Sequence, residues 1–406
     1  MTNRTVGVEE EFLLVDASGE RIRTADNELA AAMAKKKDPA KAGEVQSEFK
    51  REQAETNTPP CLEIGDLGGQ LVTMRQALAA AVEPNGVGIA AVGTSPLKVQ
   101  STTTDNKRYH AMADEYAILA REQLSCGCHV HVAVDSREEG VAVLDRIRPW
   151  LSVLAAISGN SPFWQGQDSG YSSYRTMVWG RWPSAGPSQT FGSLSGYEAA
   201  VNELVESGGL LDLGMIYFDA RLSDRYPTVE IRVADVCIAV EDTVLIAALC
   251  RGLVETAANE WRSGMAMPPV RIDLLRAASW RAARHGLSGD LVDVVNRRAV
   301  PAWKLIAAMV DYISPALEKY GDLELVRRSL AELRKRGTGA DLQRRSLRRR
   351  GRLSDVLLDA MERTVADPYS AGASIFRLDL PSLVDVRTPG ARTADVTQPR
   401  RRHFRN

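Results

Sequence analysis

The feature that most restricts this chain is a set of strand-like segments carrying ionisable side chains on one face. In Gly7-Val8-Glu9-Glu10-Glu11, a period of two puts Glu9 and Glu11 on the same side. In LSCGCHVHVAVD at 124–135 it puts Gly127, His129, His131 and Ala133 on one face, and Cys126, Cys128, Val130 and Val132 on the other. In Val229-Glu230-Ile231-Arg232-Val233, Glu230 and Arg232 share a face opposite three β-branched residues. A fourth segment places Glu48, in Glu48-Phe49, seven residues before Glu55, which Thr58-Pro59 follows. Such strands suit a sheet whose apolar face is covered by helices and whose charged face is left for chemistry. The class this predicts is α+β, with an antiparallel sheet.

The intervening segments agree with a mixed architecture. Residues 26–37 (DNELAAAMAKKK) read as a helix, with Asp26 or Asn27 as N-cap. Helices are also predicted over 66–83, 105–124, 137–158, 241–263, 270–283 and most of 290–367. GVGIAAVGTSP reads as a short buried strand and turn, and 215–235 as two strands around a polar turn. Residues 159–196 are rich in Gly, Ser, Trp and Tyr, and a loop of that length is a candidate lid. No solenoid repeat is present. One catalytic domain is expected over 1–375, with 376–406 a partly disordered tail ending in RRRHFRN.

Composition narrows the function classes. Fifty-one basic against 52 acidic residues removes the global electrostatic footprint of a nucleic-acid binder. Cysteines 61, 126, 128, 237 and 250 are odd in number and few, which fits reduced thiols. The opening MTNRTVGVEEEFLLVD lacks the apolar core of a signal peptide. No apolar run reaches the roughly 18 residues of a membrane span. The expectation is a soluble cytoplasmic protein without nucleic-acid or membrane partners.

The charged faces carry the functional reading. Carboxylates gathered on one face raise one another's pKa and strain the fold unless cations intervene. Oxygen-rich sites suit Mg²⁺ or Mn²⁺, which bridge carboxylates to nucleotide phosphates. An arginine on that face can stabilise charge on a transferring phosphoryl group. Plainer readings stand beside this one. Glu9 and Glu11 fit a solvated edge strand, and Glu230–Arg232 a surface ion pair. Zinc on His129, His131, Cys126 and Cys128 is opposed by the alternation, which sends thiols and imidazoles to opposite faces. Trp150, Trp164, Trp179 and Trp182 fit packing, and the Arg344–Arg352 run a solvated helix face.

Five ordered motifs, GVEEEFLLVD, EFKREQAETNTPPC, CGCHVHV, SGYSSYRTMVWGRWP and TVEIRVAD, together resemble the glutamate–cysteine ligase type 2 or carboxylate–amine ligase family, over roughly residues 6 to 370. The resemblance implies a glutamine-synthetase-like fold, an open barrel-like antiparallel sheet forming a funnel flanked by helices. It implies ATP with divalent cations, a carboxylate phosphorylated by ATP, and an amine attacking the acyl phosphate. By the same resemblance Glu9, Glu11, Glu48, Glu55, His129 and Glu230 are metal positions, and Arg232 and His129 face the ATP phosphates. Arg232 and Glu55 are the catalytic positions it implies, and Arg175, Tyr174 and His131 face substrate. His131 stands where the larger ligases have Asn. A homodimer is a further implication. Two other classes stay open: a metal-dependent hydrolase using His129 and His131, and a nucleotide-binding scaffold without turnover.

Overall fold

The computed structural model describes residues 3–25, 29 and 44–369. Nine strands precede the helix Val240–Arg262 among the described residues: β1 (Val6–Asp16), β2 (Glu44–Ser47), β3 (Gln53–Asn57), β4 (Val87–Ala90), β5 (Gly127–Ala133), β6 (Phe163–Trp164), β7 (Gln167–Asp168), β8 (Ala220–Leu222) and β9 (Thr228–Asp235). Seven of them form one sheet in the order β2-β3-β1-β5-β9-β8, with β4 also paired to β1, and β6–β7 is a separate hairpin. Every pairing in the large sheet is antiparallel.

Strand β1 is the spine, and its sequence explains how it serves three partners. Its first half alternates buried and part-exposed residues, while Phe12–Asp16 is buried throughout. The charged half pairs with β3 and β5, and Leu13–Asp16 pairs with β4 inside the core. The apolar face of the sheet, Val6, Val8, Cys128, Val130, Val132, Val229 and Ile231, packs with residues of the helices Arg137–Ile157 and Val240–Arg262 in one cluster. The first of these helices starts at Ser136, whose hydroxyl accepts the Glu139 N–H. The charged face is left to line a cavity.

Two local readings change. The segment 290–301 is a hairpin, β10 (Asp290–Asp293) and β11 (Arg298–Pro301), before helices occupy Ala302–Tyr320, Leu323–Arg336, Gly339–Arg350 and Leu353–Thr364. Leu291 and Val300 are buried opposite one another, and the turn is tied by Asp293 Oδ1 accepting the Asn296 N–H with Arg297 at φ 57°. Residues 159–196 also carry regular structure: the β6–β7 hairpin, the helix Tyr174–Trp179 capped by Ser173, and buried Phe163 and Trp182. The helix read over 26–37, Leu29 apart, and the tail 376–406 lie outside the described residues, which form one unit as far as Pro368.

Arg344 binds Asp168, Arg349 lies near Asp359, and Arg352 pairs with Glu20, so this arginine run is partly tied into the fold. All five cysteines are free and buried. Among the described residues, no helix is long and apolar enough to cross a membrane.

Candidate active site

Strand register turns the four charged segments into one row. Glu11 sits opposite Glu55 across β1–β3, Glu9 opposite His129 across β1–β5, and His131 opposite Glu230 across β5–β9. Neighbouring strands lie roughly 4.8 Å apart, so side chains matched this way touch. Glu48 joins the row from just beyond β2. The result is two groups of potential ligands, Glu9–His131–Glu230 and Glu11–Glu48–Glu55, each offering ligand atoms within 4.8 Å of one another. Both line a cavity of about 770 Å³, together with His129 and Arg232.

The first group is compensated. Glu9 Oε2 lies 3.1 Å from His129 Nδ1, and its Oε1 lies 3.1 Å from His131 Nε2. Burial would raise the Glu9 pKa, but these imidazoles hold it well below the usual carboxylate range. Glu230 is likewise buried, yet the charges of Arg232 and Arg221 hold it down to about 2. Arg221 Nε donates to Glu230 Oε2 at 2.7 Å from β8, and Arg232 Nη1 binds Oε1. His131 is fixed from behind by Thr228 Oγ1 at 2.9 Å.

The second group is not compensated. Desolvation and the charge of Glu11 push Glu48 up to about 7, and desolvation with the charge of Glu48 pushes Glu55 well above the usual range. Three carboxylates gathered this closely form a donor set for a hard divalent cation. His129 adds a nitrogen: with Nδ1 held by Glu9, its buried Nε2 has no hydrogen-bond partner. That is the usual disposition of a metal-binding imidazole, one ring nitrogen oriented by a carboxylate and the other left for the ion. The residues present therefore fit Mg²⁺ or Mn²⁺.

The sequence profile of glutamate-cysteine ligase family 2 matches residues 5–366. The chain belongs to that family. A Frankia alni protein provisionally named glutamate–cysteine ligase 2-2 is 50% identical over 364 residues, covering 87% of this chain and 95% of that one. A Streptomyces avermitilis protein provisionally named glutamate–cysteine ligase 2-1 is 49% identical over 362 residues, covering 89% and 99%. Among solved structures, a Francisella tularensis glutamate–cysteine ligase in complex with AMP has a TM-score of 0.65 at 13% identity, covering 92% of this chain and 91% of that one. A complex of the prokaryotic ubiquitin-like protein Pup with its ligase PafA has a TM-score of 0.51 at 15% identity, covering 87% and 70%. These two likenesses show the fold, an antiparallel sheet flanked by helices. The enzyme class that follows from family membership is an ATP-dependent carbon–nitrogen ligase.

Within this family 2 ligase, Glu9, Glu11, Glu48, Glu55, His129, His131, Glu230 and Arg232 converge on the cavity. Tyr174 and Arg175 do not line it. The Tyr174 ring packs against Trp164 and Tyr171, at 5.7 and 5.6 Å, and Arg175 is buried beside Gly127. Sequence reasoning missed Arg221, which lines the cavity and grips Glu230 across the β8–β9 pairing. Nothing in ARLSDRYPTVEI fixes that register, because a five-residue turn admits several pairings. It also missed an aromatic wall of Tyr109, Trp179, Trp182 and Tyr217, in which the Trp179 and Tyr217 rings lie 4.6 Å apart.

Proposed function

We propose that this ligase joins a carboxylic acid to an amine through an acyl phosphate made at the expense of ATP, with glutamate and cysteine giving γ-glutamylcysteine as the default pair. The observation that carries the reading is the Glu11–Glu48–Glu55 cluster beside Glu9–His131–Glu230 on one cavity wall. Glu9, Glu11, Glu48, Glu55, His129 and Glu230 would hold divalent cations, which neutralise nucleotide phosphates and orient the γ-phosphoryl group. The name of the Francisella structure, a glutamate–cysteine ligase with AMP, supports a nucleotide in the equivalent funnel.

The chain's own groups have distinct parts. Arg232, held by Glu230 and set against the Trp179 ring at 5.8 Å, supplies fixed positive charge beside the site of phosphoryl transfer. Glu9 keeps His129 oriented, and Thr228 keeps His131 toward the acid substrate. Glu55, whose carboxylate resists ionisation without a cation, makes a productive site conditional on metal loading. The aromatic wall restricts water around the acyl phosphate. A homodimeric, cytoplasmic enzyme belongs to the same proposal, and light scattering on the purified protein reads the first part.

The test is ADP release with ATP, Mg²⁺, glutamate and a panel of amines, products being read by mass spectrometry. ADP and an amide that both require acid and amine are expected. Folded protein that releases no substrate-dependent ADP overturns the ligase reading, and amide cleavage without nucleotide replaces it with hydrolysis.

A further inference from the structure

Arg175 is 2% exposed, yet its guanidinium forms no ion pair among the described residues and its Nε has no hydrogen-bond partner. An isolated buried cation is costly, and proteins rarely keep one without a counter-charge. Two nearby carboxylates, Asp235 and Asp219, act on it by charge but neither accepts a hydrogen bond from it. Asp235 is occupied by the Asn160 N–H and by the Ser161 and Ser173 hydroxyls at 2.7–2.8 Å, and Asp219 acts on Arg175 only at a distance. The backbone holds Arg175 in place: its N–H donates to Ser161 Oγ at 2.9 Å in the helix Tyr174–Trp179.

The guanidinium lies over Gly127, on the same face of β5 as His129. A Cβ placed on Gly127 would collide with Arg175 Nη2, lie 2.9 Å from its Cζ and come 3.0 Å from His129 Nε2. The end of Arg175 is therefore next to the unpartnered nitrogen of His129. The same Gly127 donates its N–H to Glu11 Oε2 at 2.6 Å, so the guanidinium also adjoins the uncompensated carboxylate group. Arg175 and Arg232 lie against one indole, 5.7 and 5.8 Å from the Trp179 ring. Arg232 is paired with Glu230, which leaves Arg175 as the one of the two without a contacting carboxylate among the described residues.

We propose that Arg175 is the receptor for the phosphoryl group in transit, held just outside the cavity lining beside His129, in space left open because residue 127 is glycine. The proposal rests on the ligase reading. In the step it serves, a carboxylate oxygen of the acid forms a bond to the γ-phosphorus as the bond to the β–γ bridging oxygen breaks. The electron pair leaves on ADP. Charge on the transferred phosphoryl oxygens is then met by a preorganised, water-poor guanidinium, which donates bidentately where a lysine would offer a point charge. Later the amine nitrogen bonds the acyl carbon, the carbon–oxygen bond breaks, and inorganic phosphate departs with the electron pair while the amine proton passes to phosphate or solvent.

The probe is inorganic phosphate, titrated calorimetrically into the full-length protein with ADP and Mg²⁺, beside steady-state kinetics. In Arg175→Met, phosphate affinity should fall about tenfold or more, while ADP affinity holds. The kcat should fall on the order of 10²-fold with KM for ATP and for glutamate nearly unchanged, the signature of an interaction made during transfer. Gly127→Ala keeps the charge in the molecule and only displaces its end. It should reproduce the phosphate loss, and combining the two substitutions should add little. Circular dichroism and melting separate this from misfolding, and Gly127→Ala remains informative if Arg175→Met fails to fold. A rise in KM for glutamate with phosphate binding intact would make Arg175 a substrate-carboxylate residue and overturn the proposal, as would additive losses. A wild type without ATP turnover fails the ligase reading instead.

Discussion

Three consecutive glutamates open β1, and each has a different environment. Glu9 is held ionised by two imidazoles, Glu11 joins the carboxylate cluster, and Glu10 points to the other face. There Glu10 takes a bidentate pair from fully buried Arg75, at 2.5 and 2.8 Å, with Thr243 Oγ1 at 2.7 Å. Removing one partner of such a pair leaves a buried charge, so Arg75→Leu should cost about 3–5 kcal/mol. Chemical denaturation of the variant checks this, and an unchanged midpoint would refute it. Replacing both residues with apolar ones should recover much of the loss.

Glu48, at about 7, and Glu55, higher still, predict a proton-linked metal site. Carboxyls raised this far carry protons near neutrality, and a divalent cation must expel them. Mn²⁺ binding should therefore release protons at pH 7 and weaken as the pH falls. Calorimetry in buffers of different ionisation enthalpy measures the release. Glu55→Gln should abolish the coupling and most of the binding, and a buffer-independent heat in the wild type would count against the site.

Between elements, the N-terminal segment is tied to two helices by one carboxylate. Glu255, on Val240–Arg262, accepts from Arg4 Nε at 2.7 Å and from Lys319 Nζ at 2.6 Å, with Tyr320 at 3.1 Å. Desolvation would raise its pKa, but Lys319 and Arg4 hold it at about 2, against 4.5 for a free side chain. A depressed carboxylate stabilises the fold fully above about 4.5, and that contribution is lost as the pH falls toward 2. Glu255→Gln should thus lower the melting temperature at pH 7 and flatten its decline between pH 4.5 and 2. Parallel wild-type and variant curves would show that the tie is inert. Element identities were largely legible from periodicity, as in Ile64–Val82 and Arg137–Ile157. The β10–β11 hairpin was not. Its few residues fit a helical pattern too, and burial against Ile272–His285 with an Asp293–Asn296 turn decided the matter.

At the scale of the molecule, a cavity walled by carboxylates on one side and aromatic rings on another should gain stability from its ligands. On the proposed function ATP with Mg²⁺ would bind the folded state alone, so each tenfold excess over Kd would add roughly 1.4 kcal/mol. The melting temperature should rise with the logarithm of ATP concentration only when the cation is present. A rise independent of Mg²⁺ would separate nucleotide binding from the carboxylate groups.

Which side chains share a strand face is already written in the order of residues, because alternation is a local property of the pleated backbone. Glu9 with Glu11, His129 with His131, and Glu230 with Arg232 follow from spacing alone. Which strand faces which was decided only in the folded chain. Glu11 meets Glu55, and His131 meets Glu230, through registers set by core packing between residues far apart in sequence. The same holds for Arg221 on Glu230, Arg75 on Glu10, and the passage of Arg175 beside Gly127. Long-range burial, with its demand that each buried charge find a partner or a ligand, placed these residues where no local pattern pointed.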